Sequence, residues 1–121
     1  MKAVFIETNG FTEWVGEYLR DDAYASLQQL LMENPTLGDA MPGCGGLRKL
    51  RTSDARRGKG KRGGARVIYL YLPDARQFFM LDIYSKDEKD DLTPAEKATL
   101  ARLSEGLKRQ AQPAIPKRRK L

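Results

Sequence analysis

Residues 65–72 read Ala-Arg-Val-Ile-Tyr-Leu-Tyr-Leu, a β-branched and aromatic run; Pro73-Asp74-Ala75 makes a turn, and Arg76–Tyr84 returns as a second strand. Two such runs around a short turn form a hairpin. With the turn at 73–75, positions 66 and 84 fall at the same distal end. Arg66 is thereby brought near Tyr84 and Lys86, although some twenty residues separate them along the chain.

The remaining elements organise around that hairpin. Ala3-Val4-Phe5-Ile6 predicts a first strand. Phe11, Trp14, Val15, Tyr18 and Leu19 recur at i, i+3, i+4, i+7, i+8, the apolar face of an amphipathic helix. Asp21 or Asp22 can cap a second helix carrying Tyr24, Leu27, Leu30 and Leu31. Asn34-Pro35 ends it, since the residue before proline is pushed out of the helical region. Residues 36–46 read as a Gly/Pro loop, and Leu47–Arg51 as another strand, with Leu47 and Lys49 on one face and Arg48 and Leu50 on the other. Thr93-Pro94-Ala95-Glu96 is a capping box with proline at the first helical position, opening a helix with Leu100, Leu103 and Leu107. The order β-α-α-β-β-β-α predicts an α+β domain over residues 1–110: a largely antiparallel four-stranded sheet with two N-terminal helices and a C-terminal helix, the helices on one face. Residues 111–121, with Pro113, Pro116 and Lys117-Arg118-Arg119-Lys120, read as a basic, mobile tail.

Charge is unevenly placed. Between Arg48 and Arg66 stand nine Lys/Arg against one acid, Asp54; with the tail set aside too, the rest of this +6 chain is net acidic. Gly58-Lys59-Gly60-Lys61-Arg62-Gly63-Gly64-Ala65-Arg66 is a glycine-loosened cationic loop running onto the hairpin's first strand. Concentrated positive charge at one place points to a polyanion. Arg66, Lys59, Lys61, Arg62, Tyr84 and Lys86 converge there, with Lys49 and Arg51 on the neighbouring strand. Cations can position a phosphodiester while an aromatic ring stacks on a base for about 1–3 kcal/mol.

Several chemistries are excluded. There is no histidine, so Ser-His-Asp and Cys-His catalysis and the usual zinc sites are out of reach. A general acid or base must come from Lys, Tyr, Asp, Glu or a terminal group. The single cysteine, Cys44, allows no internal disulfide and suits a reducing cytoplasm. No apolar stretch suits a membrane span, and the first residues do not resemble a signal peptide. The glycines lack the Gly-Lys-Ser/Thr of a triphosphate-binding loop.

Each feature also has a plainer reading. A Gly/Lys/Arg loop alone is a solvated segment or a non-specific nucleic-acid contact. Tyr69 and Tyr71 share a strand face and read as core. Asp87, Glu88, Asp90 and Asp91 balance charge before a helix N-terminus rather than hold a metal. Cys44 is an incidental thiol, and the Pro-Lys-Arg-Arg-Lys-Leu tail is a generic electrostatic contact or a nuclear-localisation-like patch.

The blocks Asn34-Pro35-x-x-Gly38-Asp39, Gly43-x-Gly45-Gly46-Leu47-Arg48-Lys49-x-Arg51, Gly58–Tyr69 and Tyr84-x-Lys86-x-Glu88-x-x-Asp91-Leu92 follow one another as in bacterial toxins of the RelE/HigB superfamily, and the chain resembles the HigB-like branch over most of residues 2–108. The resemblance implies a RelE-like fold and a toxin of a type II toxin–antitoxin system, a cytoplasmic endoribonuclease that cuts messenger RNA in the ribosomal A site without metal or other cofactor. It implies, as partners, the ribosome and mRNA and a cognate antitoxin, a helix-turn-helix protein encoded nearby through which operator DNA could be reached. Arg66 matches the family's strand arginine and Lys86 its basic residue after the next strand; Lys49, Lys59 and Lys61 match its other basic contributions. Asp87 stands where the RelE subgroup has an arginine.

RNA carries its own nucleophile, the 2′-hydroxyl. The expected roles are phosphate stabilisation by Arg66, proton transfer or leaving-group assistance by Lys59, Lys61 or Lys86, and base orientation or stacking by Tyr84. Arg48, Lys49, Arg51, Arg56, Arg57 and Arg62 are expected to hold the backbone. The alternatives are a basic RNA- or DNA-binding module that does not cut, and an interaction protein with an acidic partner.

Overall fold

The computed structural model describes residues 2–52, 64–86, 88–89 and 91–111. In chain order the elements are β1 (Val4–Glu7), α1 (Asn9–Tyr18), α2 (Asp21–Glu33), β2 (Asp39–Ala40), β3 (Arg48–Thr52), β4 (Ala65–Leu72), β5 (Gln77–Ser85) and α3 (Pro94–Gln110). The sheet has five strands ordered β1-β5-β4-β3-β2. β1 runs parallel to β5 and the other pairs are antiparallel.

The four-stranded expectation is corrected by β2. Asp39 and Ala40 pair with Lys49 and Arg48, and a tight loop joins the strands, with Met41 N–H donating to Leu47 O at 2.9 Å. Gly43, Gly45 and Gly46 all adopt positive φ there, a conformation glycine reaches without a Cβ clash. Two exposed residues without β-branched or aromatic character carry no strand signature; pairing alone makes them a strand.

The helices do not share one face. Phe11 and Tyr18 of α1, Leu19 just after it, and Leu27 and Leu31 of α2 bury one side of the sheet with Leu50, Val67, Tyr69, Phe78, Met80 and Ile83. On the other side Leu47, Ile68, Leu70, Phe79, Leu81 and Tyr84 pack with Met41, Cys44 and Leu92, and Leu100 and Leu107 of α3 lean against them. β4 is thus covered on both faces, which accounts for its unbroken apolar run. Leu103, expected in the stripe, is 39% exposed, whereas Ser104 is fully buried. The small residue lets α3 approach the 43–46 turn, and its Oγ donates to Gly45 O at 3.0 Å.

Local signals mostly act as the residues suggest. Thr93 Oγ1 accepts from Glu96 N–H and Glu96 Oε1 accepts from Thr93 N–H, completing the capping box. Thr8 Oγ1 accepts from Phe11 N–H to cap α1 and donates to Leu81 O, tying that cap to β5. At α2 the N-cap is Arg20, with no side-chain capping bond; Asp21 and Asp22 instead occupy the first turn, where their charge favours the helix dipole. Between Ile68/Asp82 and Tyr69/Met80 the β4–β5 register shifts, so Leu81 is the extra residue of a bulge.

Candidate active site

The hairpin register aligns the site. Arg66 lies opposite Tyr84 on β5 and opposite Arg51 on β3. Directly paired residues share a sheet face, so Arg51, Arg66 and Tyr84 form a row across three strands on the α3 side. Lys86 continues the end of β5, its N–H donating to Gly64 O at 3.1 Å just before β4. Arg51 and Arg66 thus stand directly opposite each other on β3 and β4.

Arg66 is 5% exposed. Its Nη1 donates to Gly64 O at 3.4 Å and Ala65 O at 3.3 Å, which folds the guanidinium back over the strand's start. Tyr84 is 4% exposed, and its hydroxyl oxygen is buried with no hydrogen-bond partner among the described residues. Burial, with a smaller contribution from Asp91, pushes that hydroxyl up to about 12, although Arg66 pulls the other way. At neutral pH the Tyr84 hydroxyl therefore keeps its proton. The Lys89 ammonium sits 5.0 Å from the ring centroid, and Lys89 is held by Glu96 Oε2 at 2.7 Å. Stacking of a base on Tyr84 would require Lys89 to leave.

Lys49 lies on the same face but is engaged: its Nζ is 3.2 Å from Asp91 Oδ1, and Lys97 Nζ is 3.1 Å from Asp91 Oδ2. The Leu92 N–H and the two lysines hold the Asp91 carboxyl down at about 2. Asp91 thus clamps β3 to α3, the charge balancing expected of the acidic segment. Glu88 Oε1 accepts from the Tyr18 hydroxyl and from Ser85 N–H. Arg48 faces the opposite side of the sheet, donating to Gly38 O at 2.7 Å. Arg56, Arg57, Lys59, Lys61 and Arg62, with Asp87, Asp90 and the 112–121 tail, lie outside the described residues. Cys44 is buried in the α3-side core. Among the described residues no acidic, cysteine or histidine cluster could hold a metal ion, and no helix is long and apolar enough to cross a membrane.

A family model described as "RelE toxin of RelE / RelB toxin-antitoxin system" matches residues 12–118. The chain belongs to the RelE toxin family, within the RelE/HigB superfamily of toxin–antitoxin systems. Among solved structures, a doubly substituted toxin RelE of E. coli in its free state is similar in fold, with a TM-score of 0.53 and 13% identity over 82% of this chain and 97% of that one.

Proposed function

We propose that this toxin is a metal-independent endoribonuclease of the HigB-like branch that cleaves messenger RNA in the ribosomal A site, and that a cognate helix-turn-helix antitoxin neutralises it in the cytoplasm. The observation that carries the reading is the Arg51–Arg66–Tyr84 row with Lys86 at its end. It sits where the most basic segment of the sequence joins the sheet.

The reaction needs no protein nucleophile. The 2′-oxygen attacks phosphorus as its proton passes to a lysine of the site or to water, the bond from phosphorus to the 5′-oxygen breaks to leave a 2′,3′-cyclic phosphate, and the departing 5′-oxygen takes up a proton. Arg66, desolvated and fixed, stabilises charge on the pentacoordinate phosphorus, and such preorganised donors gain strength where water is excluded. The Tyr84 hydroxyl donates to a phosphate oxygen or to the departing 5′-oxygen. Lys86, exposed beside them, steadies the leaving group or moves the proton, with Lys59 and Lys61 as further candidates. Arg51, Arg56, Arg57, Arg62 and Lys49 contact the backbone; the last does so by exchanging Asp91 for phosphate.

The test is induction of the full chain, with mapping of message 5′ ends on translating ribosomes. Parent protein should yield breaks within codons, and Arg66→Lys and Lys86→Ala should each lose at least tenfold in rate, the scale expected when one transition-state contact is lost. Wild-type cutting by both variants would falsify the assignment. Binding of RNA without breaks, with steep salt dependence, would favour the non-cutting module.

A further inference from the structure

Trp14 is the only tryptophan in the chain and is 51% exposed, although its spacing from Phe11 marks it for the core. It does not stand alone on the surface. With Tyr18, Asp82, Ile83, Tyr84, Glu88 and Lys89 it lines a groove of about 340 Å³ beside β5. β1 pairs with β5 only as far as Met80, so the groove occupies the stretch of β5 edge that has no strand neighbour among the described residues. Its lining includes Tyr84, whose buried hydroxyl lacks a partner among the described residues and which pairs with Arg66.

We propose that this groove is a nucleobase subsite adjoining the cleavage centre, with Trp14 as the stacking surface and Asp82 as the acceptor that reads an exocyclic amino group. The proposal rests on the ribonuclease reading above and extends it to a specificity-determining residue.

The chemistry of the walls selects the occupant. A half-exposed indole offers a flat π-face, and every base can stack on it. Asp82 Oδ1 accepts from Ile83 N–H at 2.9 Å, and its second oxygen has no hydrogen-bond partner among the described residues. Burial pushes this carboxyl upward despite nearby Lys89, so an N–H donor arriving in the groove would be welcomed. Carboxylates accept from amino-bearing base edges and repel phosphate, which keeps the backbone on the Arg66 side of Tyr84 and the base on the Trp14 side. The aromatic role that Tyr84 cannot fill while Lys89 covers its ring falls to Trp14.

The sole tryptophan supplies its own readout. Titrating the full-length protein with a short single-stranded oligoribonucleotide should quench indole emission, since stacking a base on Trp14 changes its surroundings directly. On translating ribosomes Trp14→Ala should lower the cleavage rate about tenfold or more, the scale of one lost base–aromatic stack, and Trp14→Phe should recover much of it. Asp82→Asn should weaken discrimination between amino-bearing bases and uracil at one fixed position beside the cut. A Trp14→Ala protein that cuts at the parent rate and sites overturns the subsite even if cleavage itself stands. So does a Trp14→Ala protein that cuts normally but escapes its antitoxin, which would make the surface a protein contact. If the parent cuts nothing, the ribonuclease reading fails separately. The titration then decides alone, with quenching supporting a base site and its absence overturning it.

Discussion

Tyr69 and Tyr84 are both buried tyrosines of one hairpin, on opposite faces of the sheet, and their hydroxyls have opposite fates. Tyr69 is fully buried; its hydroxyl donates to Pro35 O at 2.8 Å and accepts from Gly38 N–H at 3.0 Å. It is a strut binding β4 to the segment after α2. The Tyr84 hydroxyl has no such partner among the described residues. An unmade bond at a buried polar atom costs about 1–3 kcal/mol. The two tyrosines differ in satisfaction, not in burial.

The sharpest way to break this contrast is Tyr84→Phe. Cleavage on translating ribosomes should fall about 10²-fold or more, the range for a positioned proton donor, while thermal stability stays level or rises. A parallel loss of stability and rate would make Tyr84 a second strut. Tyr69→Phe should do the reverse, lowering stability by about 2 kcal/mol because Pro35 O and Gly38 N–H lose their partner. A shifted denaturant midpoint with unchanged rate per folded molecule is the expected pair of results.

Gly38→Ala probes the same strut from its other end. A Cβ there would lie 2.9 Å from Tyr69 Cε1 and 3.1 Å from Lys49 O. The expected cost is about 1 kcal/mol or somewhat more, measured by the same midpoint.

Titration separates the faces further. The Tyr84 hydroxyl is raised in the folded state to about 12 from an ordinary 10, so folding favours the protonated form. That contribution is complete below pH 10 and is lost as pH rises toward 12. Tyr84→Phe should therefore flatten part of the alkaline decline in stability. Asp91 works with the opposite sign: its carboxyl is held at about 2, so its contribution is present above the ordinary carboxylate range and lost as pH falls from about 4 toward 2. Its side chain is 45% exposed, and solvent screening should hold the effect to a few tenths of a kcal/mol, read as a small difference in acid midpoint between parent and Asp91→Asn.

The hairpin, the α3 capping box and the end of α2 at Asn34-Pro35 were legible because each is specified by neighbours in sequence. From the hairpin follows the meeting of Arg66, Tyr84 and Lys86, so the heart of the candidate site could be read before any coordinates. The features that could not be read depend on distant partners. β2 is a strand only because Lys49 and Arg48 lie beside it. The amphipathic stripe of α3 announces burial but not which side of the sheet receives it, and Ser104 enters that contact for its small size. Apolar spacing assigns Trp14 to the interior, whereas the packing of α1 on β5 leaves its indole on a groove. The ion pairs of Lys49 with Asp91 and of Lys89 with Glu96, and the aim of Arg48 toward Gly38, follow from register and side-chain reach.

Among the described residues β1 has one strand neighbour, β5, where Val4 stands beside Gln77. During synthesis the first strand is thus made long before the one that can hold it, and the sheet cannot close until residues 77–80 have been made. Contacts so remote along the chain form late. A growing polypeptide of this kind therefore holds β1 without its β5 partner until about two-thirds of the 121 residues have been made.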